Sequence, residues 1–368
     1  MKFVIEKGAL LRELALIQQS VVDKRNTIPA LSHIRIEASG KRVVRLSGTD
    51  LDQTLQCETE GQVQKAGVCA LPGKKLFEII KQLPDAEVRF ESKENDRVMV
   101  TCERAQFKLA GMNPKDLPEL PKFKESSAQL PADVVRQMIE RTRFCITQEE
   151  SRYTLSGAKF ILRKKGVRMV STDGHRLALI EGAVGINCDE NHVYFEIGAR
   201  TLTARLLTGV FPNYEMVIPK NNDQKVEFDC AALLQIVRRV SVMTDERSRA
   251  MRLEFTKNKL TVRSEEDEQG AAEETVEIVY AGAPTVIGIN SAYLSEYLSV
   301  LGSGAIRFEF KDGKTQVQIR PLGEAGYNSF NIIMPMNLGD ATPSTPSASA
   351  TEEKTQTQEE GAPVAQAA

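Results

Sequence analysis

The sequence predicts an α+β chain of three similar domains, the middle one short. Two observations carry this. Helix-period and strand-period text alternate along the first 338 residues, and one pattern, a helix seed followed by β-branched strand text, is written three times. The first copy runs from Leu10, Leu11, Leu14 and Ile17 to Val44–Asp50. The second runs from Val134, Val135, Met138 and Ile139 to Val167–Asp173, and the third from Leu233, Leu234, Val237 and Val240 to Leu260–Glu265. The copies lie a domain apart, beyond the roughly 20–50-residue period of a solenoid.

In chain order, alternating or β-branched text places strands at Lys2–Glu6, His33–Glu37, Val43–Ser47, Glu87–Glu91 and Val98–Glu103. Further strands are expected at Val167–Thr172, Val193–Ile197, Val226–Asp229, Arg252–Phe255, Ala305–Phe310 and Gln316–Arg320, with Phe330–Met336 as a terminal strand. Helices follow from apolar residues that share one face. These are Leu10, Leu14, Ile17 and Val21; Leu76, Ile79, Ile80 and Leu83; Val134, Met138 and Ile139; Leu233, Val237 and Val240; and Leu294, Tyr297, Leu298 and Leu301. Pro72 and Pro131 open two of these helices, and Asn290-Ser291 caps the last.

Proline-rich joints, Asn113–Pro121 and Phe211–Asn222, read as extended connectors. They divide the chain into residues 1–124, 125–222 and 223–338. Residues 339–368 hold Pro, Ser, Thr, Gln, Glu and Ala with one larger aliphatic, Val364, and are expected to be a disordered acidic tail. After Asp50 come a second helix and two further strands, but after Asp173 no second helix is legible. Asp50 to Asp96 spans 46 residues, whereas Asp173 to Asn191 spans 18. The middle copy is therefore expected to lack one helix and one strand between about Gly182 and Asn191.

The bulk numbers exclude several classes. The apolar fraction is 41% and the charged fraction 27%, ordinary for a soluble globular chain. No apolar run approaches a membrane span, and Met1–Glu6 does not read as a signal peptide, so the cytoplasm is the expected compartment. The six cysteines, at 57, 69, 102, 145, 188 and 230, form no C-x-x-C pair and read as buried thiols. With three histidines in all, no metal site is expected. Net charge is −2; the tail carries −4 of it, leaving +2 for the body. Bulk attraction to nucleic acid is excluded, so any DNA contact needs basic residues gathered on one surface.

Gly67–Lys75 fails as a phosphate loop: five residues separate the glycines, and Lys75 stands where Ser or Thr belongs. Asp173 and His175 suggest acid–base chemistry, as in a hydrolase, but no nucleophile motif accompanies them. The plainer reading is a turn with an exposed His-Arg pair. The helices carry Arg12, Lys74, Lys75, Lys81, Arg136, Arg141, Arg143, Arg238 and Arg239, with Lys24 and Arg25 just after the first. Recurrence across the copies points to a shared basic surface that touches phosphates without reading sequence.

Seven stretches, Met1–Phe3, Thr27–Leu31, Ser47–Leu51, Ser151–Gly157, Ser171–Ala178, Phe211–Glu215 and Met334–Met336, together resemble the bacterial DNA polymerase III sliding clamp, the beta subunit. The likeness runs in order over residues 1–338 apart from the gap. It implies a head-to-tail homodimer with six domains in a ring, helices lining the hole and antiparallel sheets outside. Such a ring encircles duplex DNA and tethers the replicative polymerase catalytic subunit. An ATP-dependent clamp loader places it, and other polymerases and repair proteins hold it through a short peptide. No catalytic site, cofactor or membrane is implied. The shortened domain reduces the lining helices from twelve to ten.

By position, the resemblance assigns DNA contact to Arg25, Lys74, Glu149, Tyr153 and Thr154. It assigns a partner-peptide pocket to Leu155, Thr172, Gly174, His175, Arg176, Leu177, Pro219, Ile332, Met334, Pro335 and Met336. Phe107 and Leu109 are expected to face Val242 and Met243 across the dimer joint. A clamp-derived paralogue that binds peptides without closing on DNA is the alternative.

Overall fold

A computed structural model describes residues 1–22, 28–121, 131–163, 166–182, 191–265, 270–323 and 327–338. Arg25, the expected gap at 183–190 and the acidic tail lie outside the described residues.

The first third contains β1 (Lys2–Glu6), α1 (Lys7–Ile17, continued by a π-helical turn), β2 (His33–Ser39), β3 (Val43–Thr49), β4 (Gln53–Glu60), β5 (Gln62–Lys65) and β6 (Gly67–Pro72). It ends with α2 (Gly73–Gln82), β7 (Glu87–Ser92), β8 (Arg97–Cys102) and β9 (Ala105–Ala110). The middle third contains α3 (Ala132–Glu140), β10 (Lys159–Arg163), β11 (Gly166–Thr172), β12 (Arg176–Gly182), β13 (His192–Ile197) and β14 (Arg200–Arg205). The last contains β15 (Gln224–Asp229), α4 (Cys230–Ser241), β16 (Ala250–Thr256), β17 (Lys259–Ser264), β18 (Glu273–Glu277) and β19 (Thr285–Asn290). It closes with α5 (Ser291–Leu301), β20 (Ala305–Phe310), β21 (Val317–Pro321) and β22 (Tyr327–Ile333).

Local chemistry sets the helix ends. Asp229 caps α4 by accepting the Ala232 N–H, and Asn290 caps α5 by accepting those of Ala292 and Tyr293. α2 turns Leu76 and Ile80 inward and leaves Lys74, Lys75 and Glu78 exposed. Cys57, Cys69, Cys102, Cys145 and Cys230 are free and buried, and burial pushes the Cys57 and Cys69 thiols up to about 12.

The outer thirds each contain one unit twice: a strand, a helix and three strands. β1-α1-β2-β3-β4 is followed by β6-α2-β7-β8-β9, and β15-α4-β16-β17-β18 by β19-α5-β20-β21-β22. Antiparallel pairing arranges these strands in four sheets: β5-β1-β7-β8-β9, β13-β14-β4-β3-β2-β6, β10-β11-β12-β22-β21-β20-β15 and β18-β17-β16-β19. Two sheets cross the domain joints. β14 pairs with β4 over Arg200–Ala204, and β22 pairs with β12 over Tyr327–Ile333. In both, the last strand of one domain joins the last strand of the first unit in the domain before it.

That equivalence corrects one expectation. The middle copy was expected to lack one helix and one strand. Pairing makes β13–β14 the counterpart of β21–β22. Between β12 and β13, the described residues hold no counterpart of β19, α5 or β20, which is two strands and a helix, one strand more than expected.

The cores follow the same division. Domain one packs Phe3, Leu10, Leu14, Ile34, Leu76 and Phe90 in one large cluster, and domain three packs Leu233, Val237, Phe255, Leu294, Tyr297 and Phe308 in another. The middle third has two small clusters. Met138, Val167, Met169 and Ile180 form one; Val170, Leu177, Leu179 and Tyr214 share the other with Phe330 and Ile332 of β22.

Candidate functional site

The turn between β11 and β12 is fixed by its own side chains. Thr172 Oγ1 donates to the Arg176 carbonyl at 2.7 Å and accepts the Gly174 N–H at 3.1 Å. Asp173 Oδ1 accepts the N–H groups of His175 and Arg176, each at 3.0 Å. Gly174 takes φ +91°, a backbone region that favours glycine, and a Cβ there would lie 2.9 Å from Arg152 Nη1 at the end of a flexible side chain. Met334 N–H donates to the His175 carbonyl at 3.0 Å, and Leu177 lies opposite Ile332, which brings domain three onto the turn.

Arg176 is not exposed, contrary to the plain reading of the His-Arg pair. It is 8% exposed. Its Nε donates to Asp173 Oδ2 at 3.0 Å, Nη1 to Glu296 Oε2 of α5 at 2.6 Å and Nη2 to the Phe144 carbonyl at 2.7 Å. The Tyr293 ring lies 4.3 Å from its guanidinium carbon. Burial opposes the charge on Arg176, but the neighbouring Cys145, Glu296 and Asp173 outweigh it and raise its pKa. His175 stays exposed and stacks near Tyr293, with centroids 6.4 Å apart. Both Asp173 carboxylate oxygens bond to backbone N–H groups or Arg176, so Asp173 does not orient the His175 ring. The acid–base pair therefore finds no support.

The other expected pocket residues gather around this joint. Leu155, Leu177 and Ile332 are buried, while Thr172, Pro219, Pro335 and Met336 are half-buried and Met334 is exposed. The connector before Pro219 lies on the sheet: Tyr214 Oη accepts from Arg168 at 3.2 Å, and Phe211, Val217 and Ile218 pack on the Leu177–Ile332 cluster. A cleft of about 680 Å3 lies elsewhere, on domain three, bordered among others by Val242, Asp245, Arg249, Ser291 and Glu296.

The expected basic surface is only partly available. Arg12, Lys74, Lys75, Arg136, Arg143 and Arg238 are exposed, and Arg238 also bonds to Ser299. Arg141 donates to Ser329 of β22, and Arg239 forms a bidentate pair with Glu274 of β18, so both are engaged in holding elements together. Tyr153 is 51% exposed and Thr154 half-buried on the short helix before β10. Glu149 pairs with Arg152 at 3.2 Å, which offsets its charge. Phe107 is half-buried, Leu109 buried, Met243 half-buried and Val242 78% exposed.

Family models of the DNA polymerase III beta subunit match the chain three times: the N-terminal domain over residues 1–121, the central domain over 129–189 and the C-terminal domain over 215–337. The beta sliding clamp of Caulobacter vibrioides is 34% identical over 376 residues, covering 92% of this chain and all of that protein. The chain belongs to the DNA polymerase III beta subunit family. It is a DNA sliding clamp, a processivity factor of replication. The Pseudomonas putida clamp is 30% identical over 92% of the chain and all of its own length. Among solved structures, the Pseudomonas aeruginosa beta subunit superposes with a TM-score of 0.84 at 28% identity, over 91% of this chain and all of that one. The Caulobacter crescentus subunit superposes at 0.82 and 32% identity, with the same coverage. The alignment to the Caulobacter vibrioides clamp is longer than this entire 368-residue chain yet uses 92% of it, so that relative has residues this clamp lacks.

The sequence reading missed the residues that join the clamp's domains. Glu13 of α1 is 6% exposed and receives Arg200 of β14 at 2.8 and 2.9 Å. Glu296, Tyr293 and Phe144 around Arg176 were missed in the same way. No local signal marks them, because each partner lies more than 30 residues away and in most cases in another domain.

Proposed function

We propose that two copies of this clamp close head to tail into a six-domain ring around duplex DNA. The observation that carries this is a pair of unfilled edges. At both internal joints the last strand of a domain pairs with the last strand of the preceding domain's first unit. β9 and β18 are the two strands in those roles that have no such partner among the described residues, and each is a sheet edge. Joining β9 of one protomer to β18 of the next repeats the internal joint and closes a symmetric ring. The edges differ in charge: β9 contains Lys108, and β18 contains Glu273, Glu274 and Glu277. Phe107 and Leu109 then face Val242 and Met243, and the 680 Å3 cleft opens beside that seam.

In this ring Lys74, Glu149, Tyr153 and Thr154 meet DNA, the role the resemblance also assigns to Arg25, and the five described helices per chain give ten. The joint at His175, Leu177 and Met334–Met336 takes the short peptide by which the polymerase catalytic subunit, the clamp loader and repair proteins attach. One solved Pseudomonas aeruginosa clamp is bound to griselimycin, a precedent for ligand capture by a relative. The domain bounds are 1–124, 125–222 and 223–338. The clamp has no catalytic step of its own and works in the cytoplasm; among the described residues no helix is long and apolar enough to cross a membrane.

Sedimentation and plasmid loading test this reading. The full chain is expected to sediment as a dimer and Val242→Asp, a change at an exposed position, as a monomer. Loaded on nicked circular plasmid with a loader and ATP, the clamp is expected to stay until the plasmid is linearised. Retention on linear DNA overturns encirclement, and a monomeric wild type favours a paralogue that binds peptides only.

A further inference from the structure

The middle domain has an open sheet edge where the outer domains have a paired one. β2 pairs with β3 and β6, and β16 pairs with β17 and β19. β10 holds their place in the middle copy, but among the described residues it pairs only with β11 and forms the edge of the seven-stranded sheet. Arg163 and Gly166 close the β10–β11 hairpin as a hydrogen-bonded pair, so alternation turns the N–H and C=O groups of Phe160 and Leu162 to the open side. Unpaired edges of this kind recruit a further strand.

Charge selects the occupant. β10 reads Lys159-Phe160-Ile161-Leu162-Arg163, and Lys164 and Lys165 follow it. Lys159 Nζ lies 5.8 Å from the Phe211 ring centroid and 5.9 Å from that of Tyr214, and no carboxylate pairs with it among the described residues. A second copy laid antiparallel on this edge would set Lys159 against Arg163, and like charges directly opposite repel. A strand with acidic ends is attracted instead. Residues 352–360 of this chain carry Glu352, Glu353, Glu359 and Glu360 against Lys354, and the glutamates bracket Thr355-Gln356-Thr357-Gln358, which holds two β-branched threonines. Length permits the contact. Met334, just past β22, donates to the His175 carbonyl between β11 and β12, so the chain leaves β22 at the Lys159 end of β10. A strand on the open side of β10 lies four strand spacings from β22, about 19 Å. The fourteen residues 339–352 span up to about 45 Å.

We propose that residues 353–359 dock on β10 as an added antiparallel strand, with Glu359 opposite Lys159 and Gln356 opposite Leu162. The tail then fills the place that β6 and β19 fill in the outer domains. Polar residues suit that place. Ile287 and Ile289 of β19 are buried in the core beneath α4 and α5, but among the described residues the middle domain has no second helix to cover the corresponding face. Gln356 and Gln358 on that face therefore meet water. Tethering keeps the tail at high effective concentration, so a modest strand affinity suffices.

Hydrogen exchange on the full chain tests this, read at the Phe160 and Leu162 amides. They are expected to exchange about tenfold more slowly than in a chain ending at Leu338. Glu359→Lys is expected to abolish that protection, and Lys159→Glu added to it to restore it. A cross-link gives a second measurement. Ile161→Cys with Thr357→Cys, a non-hydrogen-bonded pair in this register, is expected to form an intramolecular disulfide, whereas Ile161→Cys with Gln356→Cys, on opposite faces, is not. The proposal is overturned if the amides exchange equally in the full and shortened chains, if Glu359→Lys keeps the protection, or if both cysteine pairs link equally. Protection that grows with protein concentration and survives loss of the tail overturns it in favour of a second copy.

Discussion

Helices α4 and α5 of domain three pack against each other and over their sheets. α4 buries Leu233, Leu234, Ile236, Val237 and Val240, and α5 buries Leu294, Tyr297 and Leu298. In the middle domain, α3 has the same kind of sequence, yet it buries only Met138, and Ile139 is 44% exposed. The difference lies in what faces each helix. The described residues give α3 no second helix, and two small clusters replace the single large core. The middle domain is held from outside instead. Domain one grips it through β4–β14 and Glu13–Arg200, and domain three through β12–β22, Arg176–Glu296 and Arg141–Ser329. A clamp domain can thus lose much of its own core and persist, because its strands complete the sheets of its neighbours.

The largest effect expected from this contrast is in the complete domain. Leu294→Ala removes a fully buried side chain from a large core and should cost about 3–4 kcal/mol, read from the urea midpoint. A loss below about 1 kcal/mol would mean that domain three does not rest on its helix pair.

Breaking the anchor of the middle domain comes next. Arg200→Ala leaves Glu13 buried without its cation and should cost about 3 kcal/mol, the low end for a buried pair because Arg200 is partly exposed. Protease cutting near β13–β14 should rise with it; unchanged stability and cutting would remove Glu13–Arg200 as the anchor.

A smaller, pH-dependent effect has the same source. The hydrogen bond from Arg200 holds the Glu13 carboxyl below the usual carboxylate range. A depressed folded pKa gives stability that is complete above the unfolded value and is lost as pH falls through the folded one. The stability gap between wild type and Arg200→Ala should therefore be constant near neutrality and shrink in acid, and Glu13→Gln should show a flatter acid limb than wild type. A gap that widens in acid would reverse the assignment.

The smallest effect is expected on α3. Ile139→Gln should cost less than about 0.5 kcal/mol, since among the described residues no second helix covers its side chain. A cost above about 2 kcal/mol would show that something covers that face in solution.

All five described helices were legible because each has an apolar stripe, and α5 was placed end to end because Asn290 also marks its start. Strands with alternating apolar text, such as β1 and β20, were equally plain. β4 was missed because Gln53–Glu60 is mostly polar, and β14 because Arg200–Arg205 alternates Thr with Arg and Ala; both become strands by pairing with each other. At the candidate site, the Thr172–Arg176 turn was visible in its residues, but the burial of Arg176 was not.

The sequence by itself determined the threefold repetition, the helices, the short middle copy and the family, since these rest on local periodicity and on motifs contiguous in the chain. Only the tertiary structure decided that two sheets cross the domain joints, that β9 and β18 are sheet edges, and that Glu13 and Arg176 serve as anchors. Strand pairing and buried ion pairs join residues far apart in the chain. Their energies depend on which partner arrives and how much water leaves, and neither is written in the neighbouring residues.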